Sequence, residues 1–115
     1  MRNDKENIIV NKTFEFALRI VKYCELLEEN RKFVVARQLL KAGTSIGANV
    51  RESQNAESKD DFIHKLKIAA KEADETEYWL LICKESGTYP ADETLLNDVR
   101  EILMILNKII SSSKS

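Results

Sequence analysis

The feature that most constrains this chain is an apolar residue recurring every third or fourth position, with almost nothing to interrupt it. Val35, Leu39, Ala42, Ile46, Asn49, Ser53 and Ala56 step by four and three, and Phe62, Leu66, Ala69, Ala73, Thr76, Leu80 and Cys83 repeat the pattern. That spacing keeps one side of a 3.6-residue turn apolar, and sustained over three heptads it forms a seam between helices. The 115 residues contain only 3 glycines and 1 proline. So few breakers cannot supply the turns of a β-sandwich or barrel, and they exclude a linker-like chain. With 43% hydrophobic and 32% charged residues, the composition is that of a soluble helical domain.

The periodicity predicts four helices, over about 12–29, 33–56, 59–86 and 92–110, within a single domain spanning 1–115. Asn11 or Thr13 suits the first start, and Ser58 suits the third, because a side-chain oxygen there can accept the orphan N–H groups of a first turn. Gly87 suits the end of the third helix, with Pro90 following. Short connections favour antiparallel neighbours, so the expected fold is an all-α, up-down-up-down four-helix bundle.

Helix 1 carries two apolar stripes, Val10/Phe14/Ala17/Val21/Cys24 and Phe16/Ile20/Tyr23/Leu27, which together exceed the arc one bundle core needs. Trp79 and Ile82 also lie off the main seam of helix 3. A second buried surface, and hence a ring-like homo-oligomer, is expected. Gly43 and Gly47 sit one turn apart inside helix 2. Each costs about 1 kcal/mol against alanine there, so they are expected to permit close approach of another helix.

Several chemistries are missing from the sequence. A lone histidine, His64, cannot supply the paired Glu-x-x-His motifs of a di-iron bundle, and no arginine precedes it at nuclease spacing. There is no glycine-rich phosphate loop and no serine or cysteine triad. Cys24 and Cys83 lie far apart inside apolar stretches, as buried free thiols do in a reducing compartment. The longest apolar run, Tyr78–Cys83, is far short of the ~20 residues that span a bilayer. A cytoplasmic protein with no cofactor and no membrane partner is the expectation.

The net charge of −1 hides a polarity. Residues 1–71 hold 14 basic against 10 acidic residues, a surplus of four positive charges, and residues 72–115 hold 4 against 9, a surplus of five negative. Arg37, Lys41, Thr44, Ala48 and Arg51 share one face of helix 2, and His64, Lys67 and Lys71 form a comparable stripe on helix 3. These six cationic and titratable residues are the candidates for contact with RNA or DNA. The alternative reading is enzymatic: Glu72 and Glu75 facing Asp98 and Glu101 across helices 3 and 4 would hold Mg²⁺ for nucleotide hydrolysis.

The stretch Ala36-Arg37-Gln38-Leu39-Leu40-Lys41-Ala42-Gly43-Thr44-Ser45-Ile46-Gly47-Ala48-Asn49-Val50-Arg51-Glu52-Ser53 resembles the core motif of the bacterial 23S rRNA intervening-sequence proteins. Ile68-Ala69-Ala70-Lys71-Glu72-Ala73-Asp74-Glu75-Thr76-Glu77-Tyr78-Trp79-Leu80 is similar to that family's third helix. The resemblance covers about Lys12 to Leu106; Gly47 stands where proline is frequent and Ser53 where glycine is frequent. It implies a four-helix subunit assembling as a homopentamer, with no established enzymatic activity. Some proteins of the same fold work with nucleic acid and are strongly basic, which this chain, at a pI near 5.9, is not.

Overall fold

The structure, a computed structural model, describes residues 4–114, with side chains from Ile8 onward. It contains four helices, α1 (Asp4–Glu29), α2 (Phe33–Ser53), α3 (Lys59–Glu85) and α4 (Glu93–Ser113), and no strand among the described residues. Each helix packs against its two sequence or ring neighbours, α1 on α2, α2 on α3, α3 on α4 and α4 back on α1. That is an up-down-up-down bundle, 45 Å long and 20 Å across. Among the described residues, no helix is long and apolar enough to cross a membrane.

The heptad stripes meet along the axis. Leu39, Ala42, Ile46 and Val50 of α2 face Leu66, Ala69, Ala73 and Leu80 of α3, and Leu95, Val99, Ile102 and Leu106 of α4 join them; all are buried. Of the two stripes on α1, the one containing Phe16, Ile20, Tyr23 and Leu27 enters this core, while Phe14 and Val21 of the other remain exposed.

Two helix boundaries differ from those read in the sequence. α1 begins at Asp4, not near Lys12. No glycine or proline interrupts residues 4–11, and Ile9, 1% exposed, anchors the added turns in the core. α2 stops at Ser53, short of Ala56. The buried Ser53 hydroxyl donates to the Val50 carbonyl at 2.6 Å, and the amides of Gln54, Asn55 and Ala56 each reach back three residues. This local bonding tightens the last turn and diverts the chain from the i−4 ladder.

The remaining ends follow capping chemistry. The Ser58 hydroxyl accepts from the Asp61 amide at 3.0 Å, and the Asp92 carboxylate accepts from the amides of Thr94 and Leu95. Burial opposes ionisation of Asp92, yet these bonds, the Thr94 hydroxyl and nearby Arg19 hold its carboxyl below the usual range. Gly87 closes α3 at φ +78°. α1 ends in the same left-handed geometry on a non-glycine residue: Arg31 has φ +65°, its amide bonds to the Glu28 carbonyl at 2.9 Å, and the Lys32 amide bonds to the Leu27 carbonyl at 2.8 Å. These two bonds are those of a Schellman cap, in which glycine avoids the Cβ clash.

The α1–α2 contact is close at two points. A Cβ built on Gly43 would lie 2.8 Å from Cγ2 and 2.9 Å from Cγ1 of Ile20, and one on Gly47 would lie 3.1 Å from the Thr13 carbonyl oxygen. Ile20 is fully buried and β-branched, so it has little freedom to move aside.

Two outcomes follow from this geometry. Gly43→Ala should lower the urea midpoint despite its better helix propensity, and Gly43→Leu should cost more, about 1–3 kcal/mol from overpacking. A Gly43→Ala chain more stable than the parent would refute the close contact. Arg31→Gly should instead stabilise by roughly 1 kcal/mol, because the strained left-handed residue loses its Cβ; thermal melts of the two variants side by side give opposite shifts.

Candidate functional site

The outer faces of α2 and α3 carry the sequence-predicted cations. Arg37, Lys41, Arg51, His64, Lys67 and Lys71 are all exposed, and among the described residues none is held in an ion pair. Lys22, Arg31 and Lys108 likewise hold no ion pair among the described residues, whereas five cations bridge neighbouring helices. Lys12 reaches Glu101 at 2.6 Å and Arg19 reaches Asp98 between α1 and α4. Lys84 meets Glu93 at 3.1 Å and Arg100 meets Glu77 at 2.6 Å between α3 and α4, while Lys65 ties α3 to Glu52 of α2 at 3.1 Å. Interhelix pairing therefore engages five cations along three seams, and the α2 and α3 outer stripes take no part in it.

Arg37, Lys41 and Arg51 do not form an isolated polar stripe. Arg51, with Thr44, Gly47 and Ala48 between, forms one wall of a groove of about 280 Å³ whose other wall is Val10, Phe14 and Ala17 of α1. Gly47 lies in the floor of this groove, where its backbone approaches the Thr13 carbonyl of α1, and Gly43 makes its close contact with Ile20 outside the groove's lining. Phe14 is 57% exposed and Leu18 51% exposed along its α1 side, with Val21 and Leu40 continuing the apolar surface. The lining holds one ionic group, the Arg51 guanidinium, at its edge. Sequence periodicity signalled this surface only as surplus apolar residues on helix 1; which helix would flank it depended on the rotation of α1 about its axis.

The four carboxylates of the enzymatic alternative do not converge. Asp98 and Glu101 point to α1, where Arg19 and Lys12 bind them. Glu72 lies on the opposite flank, within the field of Lys41 on α2. Its carboxyl is raised from the usual range by burial first and by the neighbouring Glu75 second, with Lys41 and Lys71 opposing. Among the described residues, no group of three or more His, Cys, Asp or Glu side chains could hold a metal ion. The i, i+3 spacing placed each pair on one helix face, but the two faces look away from each other. The Mg²⁺ site read from the sequence is corrected on this ground.

Arg19 was not singled out by the sequence, although it organises the α1–α4 seam. Its guanidinium donates to the Asp98 carboxylate and to the Thr94 hydroxyl, and lies 3.8 Å from Asp92, the residue that caps α4. One turn along, the Tyr23 hydroxyl donates to the Pro90 carbonyl. Tyr23 also neighbours Cys83, and burial raises its phenol pKa and pushes the Cys24 thiol up to about 12. Both cysteines are free and buried, and burial raises Cys83 as well, so neither is set up as a thiolate nucleophile.

Comparison with known proteins agrees with this architecture. The profile of the 23S rRNA-intervening sequence protein family matches residues 5–108. The crystal structure of a protein with unknown function from the S23 ribosomal protein family, from Bacteroides thetaiotaomicron VPI-5482, is similar to this chain at 46% identity with a TM-score of 0.87. The likeness covers 93% of this chain and 98% of that one. No curated protein matches the chain. The match extends through all four helices, including the glycine-bearing α2 and the α1 that packs on it, and the chain belongs to the 23S rRNA-intervening sequence protein family.

Proposed function

We propose that this protein is a non-catalytic, cytoplasmic scaffold that acts as a homo-oligomer, with the apolar α1/α2 face as its self-association surface. The single observation that carries this reading is the continuous exposed stripe of Phe14, Leu18 and Val21 beside Leu40 and the Gly47/Ala48 furrow. Isolated exposed apolar residues are ordinary on a soluble protein, but a contiguous patch beside a groove marks a contact surface. Five copies is the number that the family resemblance implies. The two buried free thiols suit a reducing compartment.

Native mass spectrometry at micromolar concentration tests the reading. The parent chain should give an assembly at five times the 13.2 kDa subunit mass, and Phe14→Glu/Leu18→Glu should give folded monomer. A parent that remains at 13.2 kDa at the highest soluble concentration overturns it.

A second reading, contact with RNA or DNA, is favoured by one observation: Arg37, Lys41, Arg51, His64, Lys67 and Lys71 are exposed and free of ion pairs while the seam cations are engaged. Repetition around a ring would add avidity to contacts that are weak singly. Such binding would be poorly sequence-specific and would weaken steeply with salt, as counterions are released from the phosphates. Fluorescence anisotropy with single-stranded and structured RNA and DNA should detect binding at low salt that Arg37→Glu/Lys41→Glu/Arg51→Glu abolishes. Equal binding by an intact variant oligomer removes the α2 stripe from this role.

A further inference from the structure

The outer faces of α2 and α3 carry two unpartnered stripes of opposite charge and matching length. On α3, Glu75, Tyr78, Ile82 and Glu85 step by three, four and three, so they share a face. Tyr78 is 59% exposed, Ile82 is half-buried, and both glutamates are exposed and held in no ion pair. The Tyr78 ring meets Trp79 edge-on, with centroids 5.5 Å apart, and projects from the helix surface. On α2, Lys41, Thr44, Ala48 and Arg51 step by three, four and three in the same way. Lys41 and Arg51 are exposed and hold no ion pair, although Lys41 lies within the field of Glu72.

In each stripe the charged ends are ten residues apart, about 15 Å along a helix. Between them, one stripe offers two large side chains and the other two small ones at the lip of the α1/α2 groove. Large residues seating over small ones, with carboxylates meeting cations at both ends, is the complementarity that specifies a helix–helix contact.

We propose that the α3 stripe Glu75/Tyr78/Ile82/Glu85 of one copy docks on the α2 stripe Lys41/Thr44/Ala48/Arg51 of a second copy of this chain, with Tyr78 and Ile82 covering the α1/α2 groove. The inference rests on the self-association reading above and names the partner surface of that groove. Because the two stripes are unlike, the contact is head-to-tail, and copies joined this way leave no free stripe once a ring closes. The charge polarity between the halves of the chain then has a role: the basic half of each copy meets the acidic half of its neighbour. Lys41 and Arg51 are thereby engaged by protein, which leaves Arg37 and the α3 cations as the exposed positive surface.

The test is a charge exchange read by analytical ultracentrifugation, with circular dichroism to verify helicity. Lys41→Glu/Arg51→Glu should weaken association by at least about tenfold, or 1.4 kcal/mol, and Glu75→Lys/Glu85→Lys should do the same. The variant carrying all four changes restores opposite charges across the contact and should regain the parental assembly. Tyr78→Ala, which leaves every charge in place, should also weaken it. If the parent assembles and the double variants assemble equally well, the docking is overturned while the scaffold reading stands. If the fourfold variant stays dissociated, the charge pairing is overturned; if the parent itself is monomeric, both readings fall. Loss of RNA binding in Lys41→Glu/Arg51→Glu with assembly unchanged would assign the α2 stripe to nucleic acid instead.

Discussion

The rest of the bundle depends on how closely α1 can approach α2. Ile20 occupies the space that a side chain at Gly43 would need, and the Thr13 carbonyl stands where one at Gly47 would begin. Glycine inside a helix is unfavourable in isolation, so its presence here trades local propensity for a shorter distance between axes. The shorter distance sets the rotation of α1, which decides the stripe that enters the core and the one left outside. The exposed Phe14–Val21 surface is thus the other side of the same event that buries Phe16, Ile20 and Leu27.

The four seams are not held in the same way. Between α1 and α2 the contact is apolar and glycine-mediated, whereas α1 meets α4 through Lys12–Glu101, the Arg19 cluster and the Tyr23–Pro90 bond. Exposed ion pairs contribute little stability each, since solvent screens them and two long side chains must be ordered. Their greater effect here is on register: Arg19 reaches Asp98, Thr94 and the capping Asp92, so the start of α4 is fixed against the middle of α1. Shallow clefts follow this seam, one lined by Ile8, Ile105, Lys108 and Ile109 and another by Lys12, Phe16, Arg19 and Asp98. Packing is least continuous there, and the α1–α4 edge is the natural place for local opening.

Most of the fold was legible in the sequence because its signals are periodic or act within a few residues. The α3 seam from Leu66 onward and the α2 seam through Ile46 are buried as read, whereas Val50 rather than Asn49 continues the α2 core and Ala56 lies beyond the helix; Ser58 and Gly87 act at the ends they were assigned. The start of α1 was misplaced because Asn11 and Thr13 resemble caps; Thr13 instead sits mid-helix, its hydroxyl bonded back to the Ile9 carbonyl at 2.7 Å. The carboxylate site failed for a different reason. Glu72, Glu75, Asp98 and Glu101 have helical spacing, but spacing along a helix says nothing about which neighbour a flank faces. That depends on the rotation of each helix, a tertiary property fixed by contacts such as Gly43 on Ile20. Arg19 was invisible for the same reason, since its partners lie more than seventy positions away.

Trp79 is the only tryptophan in the chain, and its indole nitrogen is shielded from solvent without an acceptor. An indole N–H held away from bulk solvent relaxes little after excitation, so its emission lies toward the blue. It stands next to Tyr78, on the helix that carries the acidic stripe, and packs partly buried against the bundle core. One native chromophore therefore reports on two levels of organisation: unfolding exposes the ring and reddens the signal, whereas an event confined to the outer face of α3 perturbs it without reddening. The chain carries its own optical means of separating loss of fold from change at its surface.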